Sequence, residues 1–206
     1  MLTIHERVGI ILKEFKKLFP HAKIVLNYRS NWELLVAVII SAQCTDKMVN
    51  KVTKSLFNKY KTLENYVKAD LKKFEQDIHS TGFYHNKAKN ILASAKMIKD
   101  QFHGQVPHTM EELLILKGVA RKTANVVLGN AFGIVEGIAV DTHVRRLSKL
   151  WGLTKHDDPV KIEQDLMKLL PKKEWFHFTY RTIEYGRVYC IARKHDHEKC
   201  PLTKLL

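Results

Sequence analysis

Apolar residues recur at helical spacing along almost the whole chain, and this restricts the fold to helix packed on helix. Ile4, Val8, Ile11, Leu12, Phe15, Leu18 and Phe19 lie on one helical face. Thr3 and Glu6 have the spacing of a capping box at its start, and Pro20 stops it. Ser30 and Glu33 repeat that spacing ahead of the run LLVAVII at residues 34–40. Periodicity alone would also allow a buried strand there; the capping box and the lack of a partner strand favour a helix. Val49, Val52, Leu56 and Tyr60 predict a third helix, and Val67, Leu71, Phe74 and Ile78 a fourth. Ala88, Ile91, Leu92, Ala95, Ile98 and Phe102 predict a fifth, with Gly104 just beyond. Thr109 and Glu112 open a short helix that must end by Gly118, and a helix over 120–130 follows almost at once. Residues 141–150 read as another helix. Asp158 followed by Pro159 supplies the N-cap and first residue of one ending before Pro171, and 175–190 is also helical in pattern. Neither a repeat nor a low-complexity linker interrupts the series. The reading is all-α, with about nine or ten short helices.

Charge narrows the function. The 206 residues include 35 Lys+Arg against 21 Asp+Glu, a formal net charge of +14. With 45% hydrophobic residues this is no disordered basic tail. A folded chain so basic points to a polyanion, most often nucleic acid; a generically basic, ribosomal-type protein is the bland alternative. The length allows one domain or two small ones. Cys44, Cys190 and Cys200 are too few and too scattered for a disulfide scaffold, which points to a reducing, cytoplasmic compartment. Cys44 itself reads as a small buried side chain. The run at 34–40 is far too short for a membrane span, and the start MLTIHERVGI becomes charged too soon for a secretory leader. Membrane-embedded and secreted classes are set aside, and a monomer is expected.

The most informative stretch is LLILKGVARKTANVV, residues 113–127. Two short helices are separated by Gly118, Val119 and Ala120. Gly118 suits a left-handed or closely approached position at the end of the first helix. The second helix begins with unsatisfied backbone amides, which can hold a phosphate, and Lys117, Arg121 and Lys122 add positive charge. Such a clamp positions DNA without reading its sequence. An ordinary packing corner with surface lysines is the competing reading. Lys122 stands out because it lies in the first turn, where the helix dipole opposes a cation. A neutral amine there can attack carbon and form a Schiff base. Asp141, in AVDTHVRRL, has the local pattern of a helix N-cap, and its carboxylate would suit proton handling or stabilisation of a sugar cation.

LKGVARKTANVV followed by AVDTHVRRL resembles the helix–hairpin–helix and Gly/Pro/Asp signature of the endonuclease III family of DNA glycosylases. The resemblance extends through NWELLVAVIISAQCTD at 31–46, TGFYHNKAKNI at 81–91, GQVPHTMEELLILKGV at 104–119 and YGRVYCIARK at 185–194. It implies a bilobal all-α fold with a DNA-binding cleft between the lobes. One is a six-helix lobe over 23–134; the other combines 1–22 with 135–206. It implies base excision repair: removal of oxidised pyrimidines from duplex DNA after the nucleotide is flipped out. Lys122 falls on the family's catalytic lysine, which attacks C1′, displaces the base and leads through a Schiff base to β-elimination at the abasic site. Asp141 falls on the catalytic aspartate. The related adenine glycosylase branch has a residue other than lysine at this position, so Lys122 favours the bifunctional reaction. Gln43 resembles the residue that fills the gap left by the flipped nucleotide, and Phe83 lies in the loop of a second wedge. Gly118, Val119 and Ala120 would offer amides to phosphate beside Lys117 and Arg121, and hairpin carbonyls can hold a monovalent cation. A catalytically inactive DNA-binding module and a monofunctional glycosylase using Asp141 and water are the alternatives.

Two departures stand out. The hairpin reads Lys-Gly-Val-Ala where the family usually has Pro-Gly-Val-Gly; the helix can still start at Ala120 with negative φ. The second concerns the four-cysteine loop that holds a [4Fe–4S] cluster in many family members. Here Cys190 and Cys200 take its first and third positions, and His197 and Leu206 the second and fourth. Two thiolates fall short of the usual four. Cys190, His195, His197 and Cys200 are zinc-type ligands, but their spacing is not a familiar one. The expectation is therefore a chain with neither cluster nor other metal cofactor, with Cys190, His197 and Cys200 as remnants.

Overall fold

A computed structural model describes residues 2–206. It is all-helical, with no strand among the described residues. Among the described residues eleven α-helices run in order: α1 (Ile4–Leu18), α2 (Asn31–Ser41), α3 (Asp46–Lys59), α4 (Leu63–Val67), α5 (Leu71–Ile78), α6 (Tyr84–Gln101), α7 (Met110–Ile115), α8 (Arg121–Val127), α9 (Thr142–Leu150), α10 (Pro159–Leu169) and α11 (Trp175–Val188). None is long and apolar enough to cross a membrane.

Local chemistry explains where the helices begin. Thr3 and Glu6 form the full capping box of α1: the Glu6 amide donates to Thr3 Oγ1 and the Thr3 amide to Glu6 Oε2. At α2 the Glu33 amide donates to Ser30 Oγ, but the Glu33 carboxylate receives the Arg29 amide and guanidinium, so the box is not reciprocal. The fourth expected helix is two. Its pattern breaks at Ala69, where Asp70 caps a new helix by accepting from the Lys73 amide. Past Val127, α8 widens into one broad turn, Leu128–Phe132, which ends at Gly133 with φ +68°.

The chain divides into two compact units. One is Val25–Ile134; the other joins Val135–Leu206 to the segment ending at Ile24. The first is built around α2, whose residues from Trp32 to Ile40 are all buried. A helix apolar on every side belongs at a centre, and α3, α6 and α8 pack against it. Tyr60, Tyr66 and Phe74 stack beside Trp32, with ring centroids 5.1–5.8 Å apart.

The second unit centres on Phe15, Trp151, Phe178 and Tyr185, all buried. Its last residues are tied to that core. The Leu202 and Thr203 amides donate to the Tyr185 hydroxyl (3.2 and 3.0 Å), and Trp151 Nε1 donates to Thr203 Oγ1 (3.2 Å).

Candidate functional site

The hairpin begins where α7 stops and Leu116 turns to extended backbone. Gly118 follows at φ +78°, and a Cβ there would stand 2.9 Å from Asn90 Cβ on α6. Both the backbone angle and the close approach demand glycine. Ser94, also on α6, donates its hydroxyl to the Lys117 carbonyl (2.9 Å), a second tie holding the turn. The Val119 amide closes on Leu116 O at 3.3 Å while the Val119 side chain is buried, so this amide is already engaged within the turn. Ala120 caps α8 at φ −97°, ψ 170°, an angle any L-residue adopts; its methyl brings no backbone strain. Lys117 is exposed, and Arg121 and Lys122 are half-buried in the first turn of α8.

Gln43 and Phe83 share an uncommon feature. Both are non-glycine residues with positive φ, +52° and +49°, and both are exposed, Phe83 by 65%. Gln43 lies between α2 and α3, and Phe83 immediately precedes α6. Buried Lys87 supports the Phe83 turn: its ammonium donates to the Thr81 carbonyl at 2.8 Å, and burial pulls its pKa below the ordinary lysine value. The sequence reading missed Lys87, Asn90 and Ser94, because nothing distinguishes one buried lysine among 35 cationic residues. Cys44 is half-buried rather than enclosed.

Asp141 is the N-cap of α9. Its Oδ1 accepts the Val144 amide at 2.8 Å, and the residue is half-buried. Capping occupies one of its two carboxylate oxygens.

The expected absence of metal and cofactor is corrected at the C-terminal loop. Cys190, His195, His197 and Cys200 bring four ligand atoms within 4.8 Å of one another. The linear spacing hid this because the chain doubles back: Asp196 caps a tight turn at His197–Lys199 by accepting the Glu198 amide (3.0 Å), and the Cys200 amide returns to His197 O (2.9 Å). Four ligand positions are thus present, the number that an iron–sulfur cluster of the endonuclease III type uses, but two are imidazoles in place of thiolates and all four atoms crowd into one small group. Both cysteines are buried, and Arg146 approaches Cys190, contacting its sulfur (3.7 Å) and its carbonyl. Burial, and after it the neighbouring Cys190, pushes the Cys200 thiol up to about 11.

Comparison with known proteins gives one consistent likeness. Residues 36–172 match the model of the HhH-GPD superfamily, base excision DNA repair proteins. The chain is 51% identical to Endonuclease III of Synechocystis sp. over 205 residues, 100% of this chain and 94% of that one. A solved structure of a trapped Endonuclease III–DNA covalent intermediate superposes with a TM-score of 0.92 at 48% identity, covering 98% of this chain and 94% of its own. A non-covalent Endonuclease III–DNA complex gives 0.93 at 48% identity, covering 100% and 95%.

Proposed function

The chain belongs to the HhH-GPD superfamily of base excision DNA repair proteins, and from that premise we propose Lys122 as the nucleophile and Asp141 as the carboxylate of a bifunctional DNA glycosylase and abasic-site lyase acting on oxidised pyrimidines. The observation that carries the reading is the near-complete likeness to a protein trapped covalently on DNA. A covalent protein–DNA intermediate requires a nucleophilic side chain, and Lys122 in the first turn of α8 supplies an amine beside the hairpin.

The chemistry follows from those two groups. Lys122 Nζ attacks C1′ of the flipped nucleotide, the glycosidic bond breaks, and the base departs with its bonding electrons and takes up a proton. The attached amine gives up one proton, the C1′–O4′ bond breaks with O4′ taking up a proton, and the nitrogen lone pair closes a protonated Schiff base between Nζ and C1′. Loss of a C2′ proton then expels the 3′ phosphate, nicking the strand. Asp141 stabilises the positive charge that develops on the sugar and receives the amine proton.

DNA is held by the hairpin, with the Gly118 and Ala120 amides facing a phosphate, the Val119 amide partly engaged in the turn, and Lys117 and Arg121 adding charge. Gln43 and Phe83 enter the stack where the damaged nucleotide leaves it. Their exposure and positive φ support this reading, because strained, exposed conformations concentrate where function maintains them. The protein acts as a cytoplasmic monomer, associated with the nucleoid if its source is a prokaryote.

Borohydride reduction tests the assignment. On a duplex carrying thymine glycol, the wild type is expected to become covalently trapped and Lys122→Ala to remain free. Trapping and nicking by Lys122→Ala at the wild-type level would overturn it, and base release without nicking by the wild type would exclude the lyase step.

A further inference from the structure

We propose that Cys190, His195, His197 and Cys200 bind one tetrahedral divalent ion of the zinc class. Cys190 Sγ lies 3.7 Å from His197 Nδ1, Cys200 Sγ lies 3.9 Å from the same nitrogen, and His195 Nε2 lies 3.2 Å from Cys200 Sγ. Zinc bonds of about 2.3 Å to sulfur and about 2.0–2.1 Å to nitrogen, set at tetrahedral angles, put a sulfur and a nitrogen about 3.6 Å apart. The three observed separations bracket that edge. Ligands on four different corners of an iron–sulfur cube each bind a separate iron and so stand farther apart than ligands sharing one ion.

The surroundings agree. His195 Nδ1 lies 2.8 Å from the Arg193 carbonyl, which can only accept, so this nitrogen carries the proton. The Nε2 lone pair is thereby left toward Cys200. A metal-bound imidazole whose second nitrogen donates to a carbonyl is the usual way of fixing its tautomer. Two thiolates and two neutral imidazoles make a neutral assembly around a divalent ion, a suitable state for sulfurs that are both fully buried. Binding displaces the two thiol protons to solvent. Cys190 and Cys200 belong to the same core as Phe15, Trp151 and Tyr185, so the ion would staple the last residues of the chain to that core.

The test uses the full chain, purified anaerobically from cells supplied with both iron and zinc. Elemental analysis is expected to give about one zinc per chain. The apo chain titrated with Co²⁺ alone should show tetrahedral d–d bands and thiolate-to-cobalt charge transfer. His195→Ala and His197→Ala, each altering a side chain outside the packed core, should weaken Co²⁺ binding at least tenfold while retaining helical circular dichroism. Iron with equimolar acid-labile sulfide and a visible cluster absorption would overturn the proposal, as would a wild-type chain that takes up neither zinc nor cobalt. If a variant fails to fold, the wild-type stoichiometry and cobalt spectrum still decide.

Discussion

Asp141 caps α9 through Oδ1, and that structural contribution is separable from the chemical role proposed for it. Asparagine retains an acceptor at the cap but has no charge. Asp141→Asn is therefore expected to unfold in urea within about 0.5 kcal/mol of wild type while losing most base release and nicking. Asp141→Ala should lose about 1 kcal/mol of stability in addition. Wild-type turnover by Asp141→Asn would remove the residue from the mechanism. The cap was legible in the sequence because capping is local: an aspartate three residues before the amide it receives. Positive φ at Gln43 and Phe83 was not legible, because neither residue type announces a left-handed conformation; the surrounding turns impose it. The need for glycine at position 118 was half legible. A turn between two helices suggested it, but contact with Asn90, far away in the chain, completes the reason.

Helix boundaries obey the same division. Capping residues announced α1, α7, α9 and α10, since each cap involves neighbours within three residues. The break between α4 and α5 escaped because Val67, Leu71, Phe74 and Ile78 keep helical spacing across it, and spacing does not register an interruption of backbone hydrogen bonds. Contacts between elements were not legible at all. Glu174 just before α11 accepts from Arg181 Nη1 (2.9 Å) and pairs with Lys16 of α1 (2.7 Å). Burial pushes its carboxyl up, but Lys16 and then Arg181 outweigh burial and hold it below the ordinary 4.5. Its ionised form therefore contributes stability fully above that value, and the contribution is lost as pH falls through the lowered folded value. Glu174→Gln should cost about 3 kcal/mol at pH 7, since Arg181 is left buried without its counter-charge. Urea denaturation at pH 7, 4.5 and 3 should show wild type losing stability below 4.5 and the variant losing less; parallel declines would exclude Glu174 as a source of the acid sensitivity.

At the scale of the whole molecule the +14 charge becomes a measurable expectation. Binding to undamaged duplex should weaken linearly in log affinity against log salt, with a slope near −0.9 per phosphate neutralised. Lys117→Ala should make that slope shallower by about one contact. An unchanged slope would place Lys117 outside the interface. The sequence by itself determined the helical class, most helix starts, the polyanion partner and the family likeness, because periodicity, capping and net charge depend on neighbours or on sums over the chain. Only the tertiary structure decided which side chains make the second core, with Phe15 of the first helix set among Trp151, Phe178 and Tyr185, and the Tyr185 hydroxyl holding the amides of Leu202 and Thr203. It also brought two cysteines and two histidines together as one ligand group, reversing the expectation that the loop had lost its metal. Convergence of side chains depends on how the intervening backbone turns and on the core that receives it, and neither is written in the count of residues between them.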